Sequence, residues 1–407
     1  MRCSSRWTLM TVVVSLCFIY APSSVKADPL KVNTSTQLLW GDDLLGDSQA
    51  IVAQYLRFSY QPEGKQFSAA GYGRIWGDLA GGSIRDNDFN GRLYYLYLDY
   101  KPIDRISVRL GRQFVNLSAG SSLMDGATVN INKIGPLGLT VSAGRDIVYT
   151  LDSESSREGN YFVGFDLHLQ DIKNTELGLS YVRKYDHSDL SREEFGLNAK
   201  YIYRWVSPYA DIRYDSLSQT VDEASVGIDL FPINNLMVKL EFYNSYPTFD
   251  STSIFSVFAV DQFQEYLLRA EYSIPKAPVT VYGEYKRQVY KDDSNADVFV
   301  IGSRVLPTDT LTISASVDYT NSYNNNEWGF EVLGDYKLNK KIMVSAGVQH
   351  DAYQRPDDSG IRSAQRYWIG GKWLATKNVS VTGRLEDNAN ETFGHRTLGR
   401  ITLDWNL

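Results

Sequence analysis

Cysteine is all but missing from this 407-residue chain. The two present, Cys3 and Cys17, both lie near its start. The remainder of the chain can therefore form no disulfide framework, Cys-based zinc site, Cys-ligated iron–sulfur cluster or C-x-x-C-H haem attachment. No cofactor is expected on the chain itself, and any electron-transfer role would have to use a partner's haems. Long apolar runs are missing too: beyond residue 27 no window of ~18 apolar residues occurs, which excludes a spanning helix. Strong charge of either sign is absent, and a net charge of −7 argues against nucleic acid as a partner.

The first 27 residues read as a secretory signal peptide. Arg2 and Arg6 supply the positive region, Leu9 to Tyr20 a short apolar stretch, and Val25-Lys26-Ala27 the small residues of a cleavage site. The apolar stretch falls short of the ~20 residues a membrane anchor needs. A lipoprotein signal ending at Cys17 is disfavoured by Leu16, where a small residue belongs.

From residue 28 to 407 the chain reads as one all-β unit. In Ala224–Leu230, in Leu311–Tyr319 and, apart from Met343, in Ile342–Val348, every second side chain is apolar. Alternation of this kind gives a strand one apolar and one polar or small face. About 22 such segments succeed one another, from 33–41 and 49–62 through 104–115, 125–133, 137–150 and 159–170 to 396–406. Tight turns such as Lys101-Pro102-Ile103-Asp104 and Leu338-Asn339-Lys340 join alternate pairs, and longer polar stretches such as Asp78–Asn90 join the others. Short turns at one end and longer loops at the other fit an up-and-down antiparallel transmembrane β-barrel, with even strand numbers from about 16 to 22 open. A soluble sandwich would share the alternation. The signal segment and the 28 tyrosines, many near strand ends where a membrane barrel places aromatic girdles, favour the Gram-negative outer membrane, with lipid as the first partner.

Turned to the lumen, the polar face would carry Arg105, Arg109 and Gln113, then Asp211, Arg213 and Asp215, then Lys239 and Glu241. Arg269, Glu284, Lys286, Arg366, Lys372 and Arg384 complete these pore-lining candidates. Both signs are mixed, so no ion preference follows, and pairing across neighbouring strands is the plainer role for these charges. Pro247–Phe263 is too apolar for an exposed loop, which makes Phe249, Phe255 and Phe258 constriction candidates beside Asp125. Catalysis finds little support. His350-Asp351 resembles the His–Asp unit of barrel proteases, but neighbours on a strand face opposite ways, and no Ser-based constellation stands out. The acidic stretches 152–158, 292–293 and 357–358 lack EF-hand spacing.

Two resemblances refine this reading. Arg109-Leu110-Gly111-Arg112-Gln113-Phe114-Val115, followed by Asp125-Gly126-Ala127-Thr128-Val129, resembles a stretch of alginate-export and phosphate-selective porins. There a strand gives way to a segment bent into the pore. The overall layout, secreted, Tyr-rich, short-looped and without haem motifs, resembles the barrel components of Geobacter-type porin–cytochrome conduits. That resemblance implies a sheath around a multihaem c-type cytochrome. The C-x-x-C of the other conduit branch is missing here. A bore of about 22 strands would need filling, since strands begin too early for a plug. The alternative is a diffusion porin or exporter for small solutes or polysaccharide, with 114–126 and 247–263 as its own constriction.

Overall fold

The computed structural model describes residues 30–42, 46, 48–64, 66–80, 90–149, 154–155, 159–246, 262–292, 294–322, 326–354, 360–391 and 394–407. The first strands are β1 (Leu30–Asp42), β2 (Ser48–Tyr60), β3 (Phe67–Asp78), β4 (Asn90–Ile103), β5 (Ile106–Leu117), β6 (Gly120–Ile134), β7 (Leu137–Asp146), β8 (Val148–Tyr149) and β9 (Glu154–Ser155). Next come β10 (Tyr161–Leu169), β11 (Thr175–Asp186), β12 (Asp189–Tyr201), β13 (Val206–Asp215), β14 (Thr220–Ile233), β15 (Leu236–Ser245), β16 (Phe263–Ser273) and β17 (Val279–Tyr290). The last are β18 (Asn295–Thr308), β19 (Leu311–Ser322), β20 (Asn326–Lys337), β21 (Ile342–Gln354), β22 (Ile361–Leu374), β23 (Val379–Asn390) and β24 (Gly394–Asn406).

Setting aside the small β8–β9 hairpin, the strands form one 22-stranded antiparallel sheet. Each strand pairs with its neighbours in sequence, and β1 pairs with β24 from Asn33↔Asn406 to Gly41↔Leu398, which closes the ring. Closure removes the free edges that would leave backbone groups unpaired in lipid. The alternation explains the faces. Ile301, Val317, Phe330 and His350 stand side by side on four successive strands, and Ile301 and Val317 are among the most exposed apolar residues of the chain. An apolar band of this kind is the outer face of a barrel that sits in a membrane. His350 belongs to it, between the rings of Trp328 and Phe330 at 5.4 and 5.6 Å, while Asp351 turns to the other face.

Turn chemistry sets the two ends. At one end the connections are short, as between Ile103 and Ile106 or Ile134 and Leu137. At the other they span up to 79–89, 147–160 and 246–262. One tight turn at this end, His187-Ser188, places both residues at positive φ (52° and 71°), which matches a two-residue hairpin turn to the strand twist. Residues 1–27, read above as a signal peptide, and the candidates Phe249, Phe255 and Phe258 lie outside the described residues.

The candidate pore and its inward hairpin

The register sorts the candidate charges. Arg109 reaches Asp99 on β4 with two hydrogen bonds (2.7 and 3.1 Å) and lies 4.0 Å over the Tyr97 ring. Lys239 contacts Glu241 at 3.0 Å, and Glu241 also accepts the Tyr209 hydroxyl. Arg269 bridges Glu284 (3.2 Å) and Glu271 (3.3 Å), while Lys286 holds the other Glu284 oxygen at 2.8 Å. Glu386 takes Arg366 through both oxygens (2.9 and 3.1 Å) and Arg384 at 2.8 Å. Asp211 is exposed on the inner face of β13 and Lys372 on that of β22. Arg213 touches Asp222 and Glu223 at 3.5 and 3.3 Å.

Other candidates sit elsewhere than alternation suggests. Arg105 is in the turn between β4 and β5, exposed at the rim, because the chain has already left the wall there. Asp215 is 6% exposed, and its Oδ1 accepts the Leu217 and Ser218 amides, so it closes the β13–β14 turn. Gln113 is 1% exposed; its amide donates to the Gly126 carbonyl at 3.1 Å. Asp125 pairs with Arg112 through two 2.8 Å bonds. Both residues lie at the base of the feature that dominates the interior.

That feature is the free half of the β5–β6 hairpin. β4 accompanies β5 only as far as Leu96↔Arg112, and β7 accompanies β6 only as far as Met124↔Asp146. Beyond these points β5 and β6 pair with each other alone, to Leu117↔Gly120. The bend falls on glycines. Gly111 has φ +120°, where a side chain would be strained. Gly126 and Gly144 face each other so closely that a Cβ on Gly144 would lie 2.7 Å from the Gly126 Cα.

The tip then docks on the inner faces of β10 to β13. Val115, Ala119 and Met124 join Phe162 of β10 and Val182 of β11 in one cluster, each 6% exposed or less, with Leu117 against it. The Ala119 amide donates to Ser180 Oγ at 2.7 Å, and Arg213 Nε reaches the Ser118 carbonyl at 3.4 Å. Gly196 makes room, since a Cβ there would overlap the Ala119 nitrogen and the Ser118 carbonyl carbon. Beneath Gly120 lies Glu194, wholly buried, with one oxygen 3.1 Å from Arg192. Its other oxygen has no hydrogen-bond partner among the described residues.

The wall closes behind the hairpin. Tyr149 of β8 donates its hydroxyl to the Leu93 carbonyl of β4, and the Arg92 guanidinium lies 4.3 Å over the Tyr149 ring. β4 thus meets the β7–β8 segment directly at this level, skipping β5 and β6, and the hairpin tip is inside the ring. Phe114, on the face away from the docked cluster, is 60% exposed.

Charge on the inner face is segregated. Asp318, Glu327, Glu331, Asp335 and Asp351 face inward on β19 to β21, and none has a cationic partner among the described residues. Asp318 and Asp351 both reach over Gly329, at 2.9 and 2.7 Å from where its Cβ would be. The adjoining strands β22 to β24 carry guanidinium groups instead. These stand across the ring from the hairpin's seat, for β11 and β22 are eleven strands apart in either direction.

Sequence reasoning missed Phe162, Val182, Glu194 and Gly196. A signal was present: Phe162 and Val182 are apolar residues at positions where the alternation calls for polar ones.

No protein-family model matches the chain, and no curated protein matches it in sequence. Solved structures do share its architecture. The siderophore receptor PirA from Pseudomonas aeruginosa aligns with TM-score 0.63 at 11% identity, over 94% of this chain and 82% of its own. The translocation pore of the P pilus usher PapC aligns with TM-score 0.53 at 9% identity, over 92% of this chain and 99% of its own. The likeness is one of fold: a closed antiparallel barrel of the kind on which a siderophore receptor and a usher pore are built.

Proposed function

We propose that this chain is an outer-membrane channel of porin type in a Gram-negative bacterium, a water-filled barrel whose bore is narrowed by its own β5–β6 hairpin. The observation that carries this reading is the hairpin itself, docked on the inner wall while β4 and β8 seal the gap it leaves. A barrel needs no such insert to be stable, because its strands already pair all round. A folded-in segment in front of a polar wall instead sets which solutes pass. The chemistry is diffusion, with no cofactor on the chain.

The other reading, a sheath around a multihaem cytochrome, draws on girth. Barrels of this strand number commonly have an occupied lumen, and the described residues include no plug. The two readings separate in one preparation. Barrel purified from gently solubilised native membranes and placed in liposomes should pass small sugars and carry no haem absorbance. Haem that co-purifies stoichiometrically, with sugar-tight liposomes, would favour the sheath.

A further inference from the structure

A second feature of the lumen lies across from the hairpin. A recess of about 470 Å³ opens between β22 and β2, lined among others by Arg366, Arg384, Arg396, Arg400, Leu39 and Ile51. Its charges do not balance. Arg384 and Arg400 are directly opposite in the β23–β24 register, an arrangement of like charges that costs stability unless an anion lies between them. Four guanidinium groups line the recess against two carboxylates, Glu386 and Asp42; Glu386 is already engaged by Arg366 and Arg384, and Asp42 accepts the Ser48 hydroxyl. Among the described residues no carboxylate lies within ion-pair reach of Arg400. Arg384 keeps a buried Nε without a hydrogen-bond partner while its guanidinium lies 4.2 Å over the Trp368 ring.

The floor of the recess is apolar, which is unusual for an inner face. Leu39 stands opposite Arg400 on one side and Ile51 on the other, and Leu398 adjoins them. These residues break the alternation of β1, β2 and β24 as Phe162 and Val182 break that of β10 and β11. The hairpin covers Phe162 and Val182. It does not reach the aliphatic floor under the guanidinium groups.

We propose that this recess is a subsite for a small organic anion, a carboxylate carried on an apolar body. The carboxylate would lie between Arg384 and Arg400, each offering a planar fork of donors. The apolar body would cover Leu39 and Ile51. This rests on the channel reading and names the solute class it would favour.

The test is equilibrium titration of the purified full-length barrel in detergent with benzoate, using inorganic phosphate and benzyl alcohol as comparison probes. Benzoate should bind more tightly than either. Arg400→Gln should weaken it roughly ten-fold, the effect of losing one charge-assisted contact. Arg400→Lys should fall between, and Leu39→Asn should weaken benzoate while leaving phosphate unchanged. Lys377→Gln, in a turn at the short-connection end, should match the unaltered protein. Heat-modifiable migration on gels confirms that each variant is folded. Equal affinity for phosphate would overturn the apolar half of the proposal, and equal affinity for benzyl alcohol the anionic half. Unchanged benzoate affinity in folded Arg400→Gln and Arg384→Gln would overturn the site. Binding is read without current, so a barrel that binds benzoate but never conducts refutes the channel and leaves the subsite. One that conducts without binding benzoate refutes the subsite alone.

Discussion

Replacing Gly196 separates the hairpin from the wall without touching the hairpin's own sequence. Gly196 is an ordinary strand residue, paired with Ser180 on one side and Arg213 on the other, so alanine or valine suits its backbone. The added Cβ would overlap the Ala119 nitrogen and lie 2.6 Å from Ser180 Oγ, and one partner must move by about 1 Å to reach ordinary contact. β12 is held by two ladders, whereas the tip is held by one good hydrogen bond and an apolar cluster. The tip therefore moves. Overpacking costs about 1–3 kcal/mol, and stranding the buried Ala119 amide costs a further ~1–3 kcal/mol. Burial of Val115 and Met124 stabilises docking by about 1.5–3 kcal/mol each. Gly196→Ala should thus weaken docking, and Gly196→Val, which adds two more methyl groups, should largely abolish it. The assay is limited proteolysis, which reads cleavage within 113–124 without altering the hairpin or its Ser180 acceptor. Cleavage there should rise at least ten-fold with valine while the barrel stays heat-modifiable. Undiminished protection in a folded Gly196→Val protein would refute the docked geometry.

The same contacts have other consequences. Phe162→Ala removes the floor of the docked cluster at about 3–5 kcal/mol; added protease should then cut within 113–124 while the rest of the barrel stays resistant. Asp351→Asn with Asp318→Asn removes two of the five carboxylates on the acidic side of the lumen, so the reversal potential in a salt gradient should move toward anion preference; no shift would mean these two lie off the ion path. Asp292 sits in the β17–β18 turn, where the Ser294 hydroxyl and amide hold its carboxyl below the ordinary value of 3.8. A lowered pKa means the carboxylate stabilises the turn above the ordinary value and loses that effect as pH falls through the lowered one. Exchange protection of the Ser294 amide should accordingly drop in that acidic window, should lose this pH dependence in Asp292→Asn, whose Oδ1 still accepts the amide, and should be lost at all pH values in Asp292→Ala.

Much of the barrel was legible because alternation has a period of two and a closed antiparallel sheet repeats it in strand after strand. The 22 segments read from the sequence correspond to the 22 strands of the ring. The bend into the pore after Arg109 was expected from the resemblance of 109–129 to a stretch of other porins, but β6 begins at Gly120, earlier than the reading at residue 125. The bent part is paired hairpin, because β5 and β6 satisfy each other's backbone once both have left the wall. The seat of its tip was not legible. Docking on β10 to β13 depends on which residues share a height inside the ring, and height is set by strand stagger, which composition does not encode. The same holds for charge. Arg366 and Arg384 were read as lining, but the opposition of Arg384 and Arg400 appears only once β23 and β24 are set in register. Out-of-phase apolar residues were the usable clue: Val182 marks the docked tip, Leu39 and Ile51 the recess.

A water-filled bore and its narrowing by the β5–β6 hairpin are the two halves of the proposed channel. Single-channel recording in planar bilayers tests both halves, comparing the unaltered protein with one in which residues 114–123 are replaced by Asn-Gly. That two-residue turn closes β5 and β6 near Gln113↔Met124. The expected result is discrete conductance steps from the unaltered barrel and clearly larger ones from the shortened barrel. Steps of equal size from two folded proteins, or no steps from either, would contradict a bore narrowed by this hairpin.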